Sequence, residues 1–298
     1  MPYSGPIIDA HHHIWRLADV PWLAGPILPR IFGDYTPIKR DYLVDEYLRD
    51  VRAAGVEQSV YVQCNWPNDR AIDEVAWVQS VSDQHGFPHG IVGFADLADP
   101  AIAKTLDGEL AFKGFRGVRQ QLHCHEKPLY KFAERSDLFD DSAWRAGLRE
   151  VERRGLLFEL QVFASQMEGA AKLARDFPKM TFVLMHAGML EDRSPAGLAA
   201  WRKGLREMAA CPNVVTKLSG LGTFVRRTSV DLWQPMVDEA IAQFGPKRCI
   251  FGSNFPIEKL WTSYAELVGV MRTLLARLPE ADQRDIFYGN AKRIYRLD

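Results

Sequence analysis

The residues of this chain best suited to chemistry sit in Ile7-Ile8-Asp9-Ala10-His11-His12-His13-Ile14-Trp15. Two β-branched residues open a strand that finishes in an acid and three imidazoles. Side chains two apart on a strand share a face, so His11 and His13 point together while His12 faces the opposite layer, where a structural role is expected. Imidazole ligates metals, carries protons and donates hydrogen bonds. A His-x-His pair at a strand end therefore suits metal-assisted or acid–base chemistry; the alternative is two hydrogen-bonded core histidines.

Comparable polar termini recur. One strand runs into Gln63, Cys64, Asn65 and Trp66, and the next ends at Asp96. Others end in Arg116-Gly117-Val118-Arg119-Gln120, carry Glu159 and Gln161, close on Leu184-Met185-His186, carry Lys217 and Ser219, and close on Phe251-Gly252-Ser253-Asn254. An ammonium buried alone is costly, so Lys217 needs a partner or water. Glu159 is the obvious partner, and a structural Lys217–Glu159 ion pair stands beside any catalytic role for either.

The elements that must position these residues alternate regularly. After the first strand comes a long loop, 16–40, with four prolines and Trp22, Leu23, Ile27 and Phe32. A loop of this length is a lid or binding loop, or is clamped down by its own apolar residues. Helical spacing then appears at 41–54, with Leu43, Val44, Tyr47, Leu48 and Val51 on one face. Further helices are expected at 69–85, 100–110, 141–154, 165–177, 194–209, 229–244, 263–278 and 282–295. Strands are expected at 56–63, 90–96, 112–120, 156–162, 180–186, 213–219 and 248–253. Counted from Ile7 there are eight β–α units, which predicts a single α/β domain over 1–298, a closed (β/α)8 TIM barrel. An open doubly wound sheet is the alternative, but no strand leads into a GxGxxG or P-loop fingerprint. In a barrel the active site lies at the C-terminal strand ends, where the polar residues cluster.

Composition agrees. The chain is 47% hydrophobic and 25% charged, with net charge −1. That is the profile of a soluble globular protein, and it gives no electrostatic case for nucleic acid or an anionic membrane. The four cysteines, Cys64, Cys124, Cys211 and Cys249, form no CxxC pair and are read as buried free thiols of a reducing compartment. No leader-like apolar segment precedes Ile7, and no apolar run reaches the ~18 residues of a membrane span. A cytoplasmic protein with a small-molecule substrate is expected, and a homo-oligomer is compatible with the sequence.

Asp9-Ala10-His11-His12-His13-Ile14-Trp15, Leu184-Met185-His186-Ala187-Gly188, Lys217-Leu218-Ser219-Gly220-Leu221 and Phe251-Gly252-Ser253-Asn254-Phe255-Pro256 together resemble the amidohydrolase superfamily, in particular its "amidohydrolase 2" branch with sugar-acid and muconolactone-type lactonases. The resemblance implies a barrel of the metal-dependent hydrolase type that opens a small ester or lactone. It implies metal ligands or catalytic residues at His11, His13 and His186. The branch's usual strand-eight aspartate reads Asn254, which is neutral, cannot serve as general base and is a poorer metal ligand. The usual strand-five Lys or His ligand of two-metal relatives reads Glu159 or Gln161. One divalent, zinc-like ion held by His11, His13, Glu159 and His186, or none, is therefore expected rather than two.

Opening a lactone needs an activated water, oxyanion stabilisation and an acid for the leaving alkoxide. His186 or Glu159 is the expected base, with His11 and His13 polarising the carbonyl directly or through the ion. Asn254 would orient the water or donate to the oxyanion. Arg119 and Lys217 would hold a carboxylate or hydroxyls; Gln63 and Gln161 are further polar contacts. Trp15 and Trp66 would form an apolar wall, or pack against the long loop. The rival readings are a non-oxidative decarboxylase of a small carboxylate and a barrel that binds a small ligand without turning it over.

Overall fold

The computed structural model describes residues 1–298. Eight strands run in one parallel sheet in chain order: β1 (Ile7–His12), β2 (Val56–Val62), β3 (Gly90–Gly93), β4 (Phe115–Gln121), β5 (Leu157–Gln161), β6 (Phe182–Leu184), β7 (Val214–Leu218) and β8 (Cys249–Phe251). The ring closes just past β8. The His13 amide donates to the Phe255 carbonyl at 2.7 Å, and the Asn254 amide to the His11 carbonyl at 2.7 Å. The fold is the expected (β/α)8 barrel. No helix is long and apolar enough to cross a membrane.

The strands form because their side chains alternate between two dry layers. Ile8, Ala10, Val60, Val62, Val92, Leu157, Val183, Val215 and Ile250 fill the barrel interior, which Tyr295 and Leu297 plug from the C-terminal segment. Ile7, Tyr61, Ile91, Val118, Phe158, Phe182, Val214 and Phe251 face outward, into the larger core beneath the helices.

The expected elements are present with trimmed ends. β3 stops at Gly93, so Asp96 lies beyond it and accepts hydrogen bonds from the Ala98 amide at 3.1 Å and Gln120 Nε2 at 3.3 Å. The third strand thus brings no polar terminus to the barrel mouth. The first amphipathic helix is Val44–Val51; Leu43 caps it and is exposed rather than packed. The C-terminal helical segment begins at Glu280 and contains a π-helical turn, Asp285–Gly289, that brings Tyr295 beneath the barrel.

β1 is not a regular strand. Asp9 pairs with Ser59 and His12 with Tyr61, so three residues of β1 span what two span on β2. Ala10 and His11 both turn inward across this irregularity, the way a bulge re-aims a side chain. Asp9 faces the helices. Its Oδ1 accepts from the amides of His11 (3.1 Å) and Ser253 (2.8 Å), and its Oδ2 from the hydroxyls of Ser253 (2.6 Å), Tyr47 and Tyr264 (both 3.1 Å). The acid ahead of the histidines therefore fastens β1 to β8. His12 points the same way, with Nε2 3.0 Å from Ser59 Oγ and its ring stacked on Tyr47 at 3.9 Å.

Candidate active site

A cavity of about 500 Å3 opens at the C-terminal ends of the strands. Of the candidate residues, His13, Trp15, Trp66, Arg119, Gln161, His186 and Asn254 line it. His11 lies just beneath, fully buried, with its ring 5.1 Å from that of His13 and 4.8 Å from that of His186.

Backbone geometry aims these rings. His13 Nδ1 donates to the Val62 carbonyl at 2.6 Å, which leaves its Nε2 with a free lone pair. His186 follows β6 with a left-handed φ of 54°, and its Nδ1 pairs with Ser219 Oγ at 2.9 Å. Two glycines make room. A Cβ on Gly220 would stand 2.5 Å from His186 Nδ1, and one on Gly252 would stand 2.6 Å from His11 Cβ. Asn254 holds a φ of 59°, a region that asparagine tolerates better than most residues.

Burial holds His11 and His13 well below the usual histidine range, reinforced by the charge of Lys217 at His11 and of Arg119 at His13. Burial and the same two cations bring His186 down to about 3. All three are neutral near neutral pH and offer lone pairs. Both ring nitrogens of His11 are buried without a partner. An orphaned buried imidazole calls for an ion or water, and imidazole nitrogens are ordinary ligands of a tetrahedral divalent ion. The donor set thus suits a single divalent ion in type. It is not drawn together in advance, since no three His, Cys, Asp or Glu side chains converge as a metal-holding group.

Three candidate roles need correction. Glu159 does not line the cavity. It is fully buried, and its Oε1 takes both Lys217 Nζ and the Tyr295 hydroxyl at 2.6 Å each. That oxygen neutralises a buried ammonium, while Oε2 is buried without a partner; the carboxylate stands off the cavity wall, where it cannot meet a substrate. Lys217 is likewise occupied below the floor and meets no substrate. Burial lowers its pKa to about 8, against the opposing pull of Glu159. Gln63 is also off the wall: its Oε1 accepts from the Asn65 amide at 2.6 Å and its Nε2 reaches the Arg119 carbonyl at 3.4 Å, so it braces a strand end.

Arg119 remains available. One guanidinium nitrogen bonds the Gln63 carbonyl, and Nε is buried without a partner. None of the 28 lining residues is Asp or Glu, whereas Arg30, Arg119 and Lys131 are cationic, so the cavity is electrostatically suited to an anionic or electron-rich ligand. Trp15 and Trp66 do form an apolar wall. Each also packs: Trp15 Nε1 donates to the Arg40 carbonyl at 2.8 Å, and Trp66 stacks on Trp77 at 5.8 Å.

Sequence reasoning missed His123 and Glu258. His123 lines the cavity two residues past β4, on the same parity as Arg119 and Gln121, a signal hidden by ending the strand at Gln120. Glu258 lies behind Asn254, fully buried, with Oε2 accepting from Trp261 Nε1 at 2.9 Å. Burial pushes its carboxyl up to about 8 from 4.5, against hydrogen bonds from Trp261, Asn254 and Thr223. Between those values the folded chain keeps a proton that the unfolded chain has lost, so this group's contribution to stability falls as pH rises through that window. Glu258→Gln cannot titrate and is expected to lose that decline. The thermal midpoints of both proteins across the window check it; parallel profiles would count against a buried neutral Glu258.

The chain belongs to the amidohydrolase family: the model described as "Amidohydrolase" matches residues 8–297. Among particular relatives, it is 36% identical over 98% of both chains to "Uncharacterized protein y4mH" of Sinorhizobium fredii. It is 30% identical to an L-fucono-1,5-lactonase of Burkholderia multivorans, covering 97% of this chain and 96% of the relative. A crystal structure of a Burkholderia multivorans amidohydrolase with bound zinc superposes with a TM-score of 0.83 at 28% identity, over 99% of this chain and 100% of the other. At the level of class, family and lactonase relatives together make the chain a hydrolase.

Proposed function

We propose that this barrel hydrolyses a small lactone, with His11, His13 and His186 holding one divalent ion. The observation that carries the proposal is His11, with both ring nitrogens buried and unpartnered between two rings about 5 Å away. When bound, such an ion supplies a Lewis acid for the ester carbonyl and makes water acidic near neutral pH. The chain's own residues do the rest. Arg119 orients the substrate through its free Nε and the positive potential of the cavity. Asn254, on the cavity floor beside the histidines, offers amide N–H groups to the developing oxyanion. With no carboxylate on the wall, the proton of the attacking water goes to His123, which stays clear of the ion and returns that proton to the leaving alkoxide. The loop 16–40 covers the site with Trp22 and Phe32 and limits water.

Sharing a chain-length match with an L-fucono-1,5-lactonase makes L-fucono-1,5-lactone the first substrate to try. The test is acid release from that and other small lactones, followed on a pH-stat. Ring opening above the buffer rate is expected. Gas release from small carboxylates without any lactone opening would instead assign a decarboxylase.

A further inference from the structure

The inner and outer halves of the cavity differ in chemistry. Its floor is polar and buried, with Arg119, His123, Gln161 and Asn254 all at 5% exposure or less. Its mouth is aromatic, built as two facing banks. One bank comes from the loop after β1, where Trp22 packs edge-on against Phe32 at 6.0 Å and near Trp15 at 6.1 Å. The other comes from the segment after β4 and the turn after β7, where Tyr130 meets Phe224 at 5.5 Å and Phe132 stacks on His123 at 5.2 Å.

Phe132 and Leu129 line the cavity yet stand 46% and 47% exposed. Ile27 and Leu28, on the opposite loop, are 51% and 56% exposed. These four account for more than half of the seven large apolar side chains left exposed on the molecule. Loop residues that only clamped the loop would be buried, as Leu23 and Tyr35 are. Leu129 and Phe132 are exposed apolar side chains on the wall of the cleft itself, which marks a surface kept for a ligand. The cavity volume, about 500 Å3, lies in the range of sites that enclose drug-sized ligands, ~300–1,000 Å3. A bare hydroxylated ring would occupy the polar floor and leave the aromatic mouth in water.

We propose that the mouth is an aromatic subsite, and that the lactone opened here carries a planar, apolar substituent lying between the Trp22–Phe32 and Tyr130–Phe132 banks. This rests on the lactone reading. The ring would meet the polar floor while the substituent displaces water from aromatic faces, which pair favourably with another ring.

The test compares L-fucono-1,5-lactone, an unsubstituted δ-lactone and a phenyl-bearing δ-lactone, together with the unsubstituted and phenyl-bearing δ-lactams as unreactive binding probes. The phenyl lactone is expected to show kcat/KM at least about 10-fold above the unsubstituted ring. The phenyl lactam should bind tighter than the unsubstituted lactam by a similar factor. In Phe132→Ala/Leu129→Ala both ratios should collapse toward one. Equal values for phenyl and unsubstituted compounds in the wild type would overturn the subsite, as would a ratio the double variant leaves intact. A fall in oligomer mass in that variant with the lactam ratio intact would make the aromatic mouth a contact between copies and overturn it too. If no lactone is opened but the lactam preference appears and depends on Phe132 and Leu129, the subsite stands and the hydrolase reading falls.

Discussion

His186→Ala is expected to lower the rate of lactone opening by at least about 100-fold, because losing a ligand of the ion should cost no less than losing a partner that merely supports one, about 10–100-fold. Its ring is the most deliberately placed in the cavity. It leaves β6 on a left-handed residue, is fixed through Nδ1 by Ser219, and occupies the space that Gly220 keeps clear. These contacts lie at neighbouring strand ends around the cavity, outside the apolar core, so cooperative unfolding should persist at a similar midpoint. Rates on the pH-stat and thermal unfolding of the same preparation measure the two halves of this prediction. A folded variant with near wild-type turnover would remove His186 from the chemistry.

The largest effect on stability is expected at Glu159→Gln. The substitution is nearly isosteric, but it leaves the Lys217 ammonium in a fully buried position without its counter-charge. Breaking one partner of a buried pair costs about 3–5 kcal/mol. The loss should appear as a lower denaturation midpoint in urea. Replacing both partners with apolar residues of similar volume should cost much less, because no lone charge is stranded. Tyr295, whose hydroxyl bonds the same Glu159 oxygen, links this pair to the C-terminal segment that plugs the barrel. A Glu159→Gln protein with wild-type stability would show that the pair holds nothing together.

The contrast between these two residues shows what the sequence could reveal. Alternating strand and helix patterns carried the barrel, because each strand buries both faces and each helix buries one. His13, His186, Arg119 and Asn254 were legible because strand ends of a parallel barrel converge on one mouth. Depth was not legible. Glu159 and Gln161 share a face of β5, two residues apart, yet Gln161 reaches the cavity and Glu159 sits beneath its floor. Glu159 stands two residues earlier on the strand, about 6.6 Å deeper; β5 alone does not say which layer is the floor, and Tyr295 from the other end of the chain meets Glu159 there. The irregular register of β1 is equally hidden, since a strict period of two would put His11 on the face of Asp9. Glu258 escaped for a related reason: it lies on the turn after β8, and only the folded chain sets it behind Asn254.

The central claim is that the three imidazoles hold one divalent ion on which lactone opening depends. Its most direct test is the metal content of the purified protein, measured alongside turnover, before and after chelation and in His11→Ala. The expected result is about one divalent ion per chain, lost together with lactone opening on chelation, restored together by added zinc, and absent from His11→Ala. Full lactone opening by chelated, metal-free protein would contradict it.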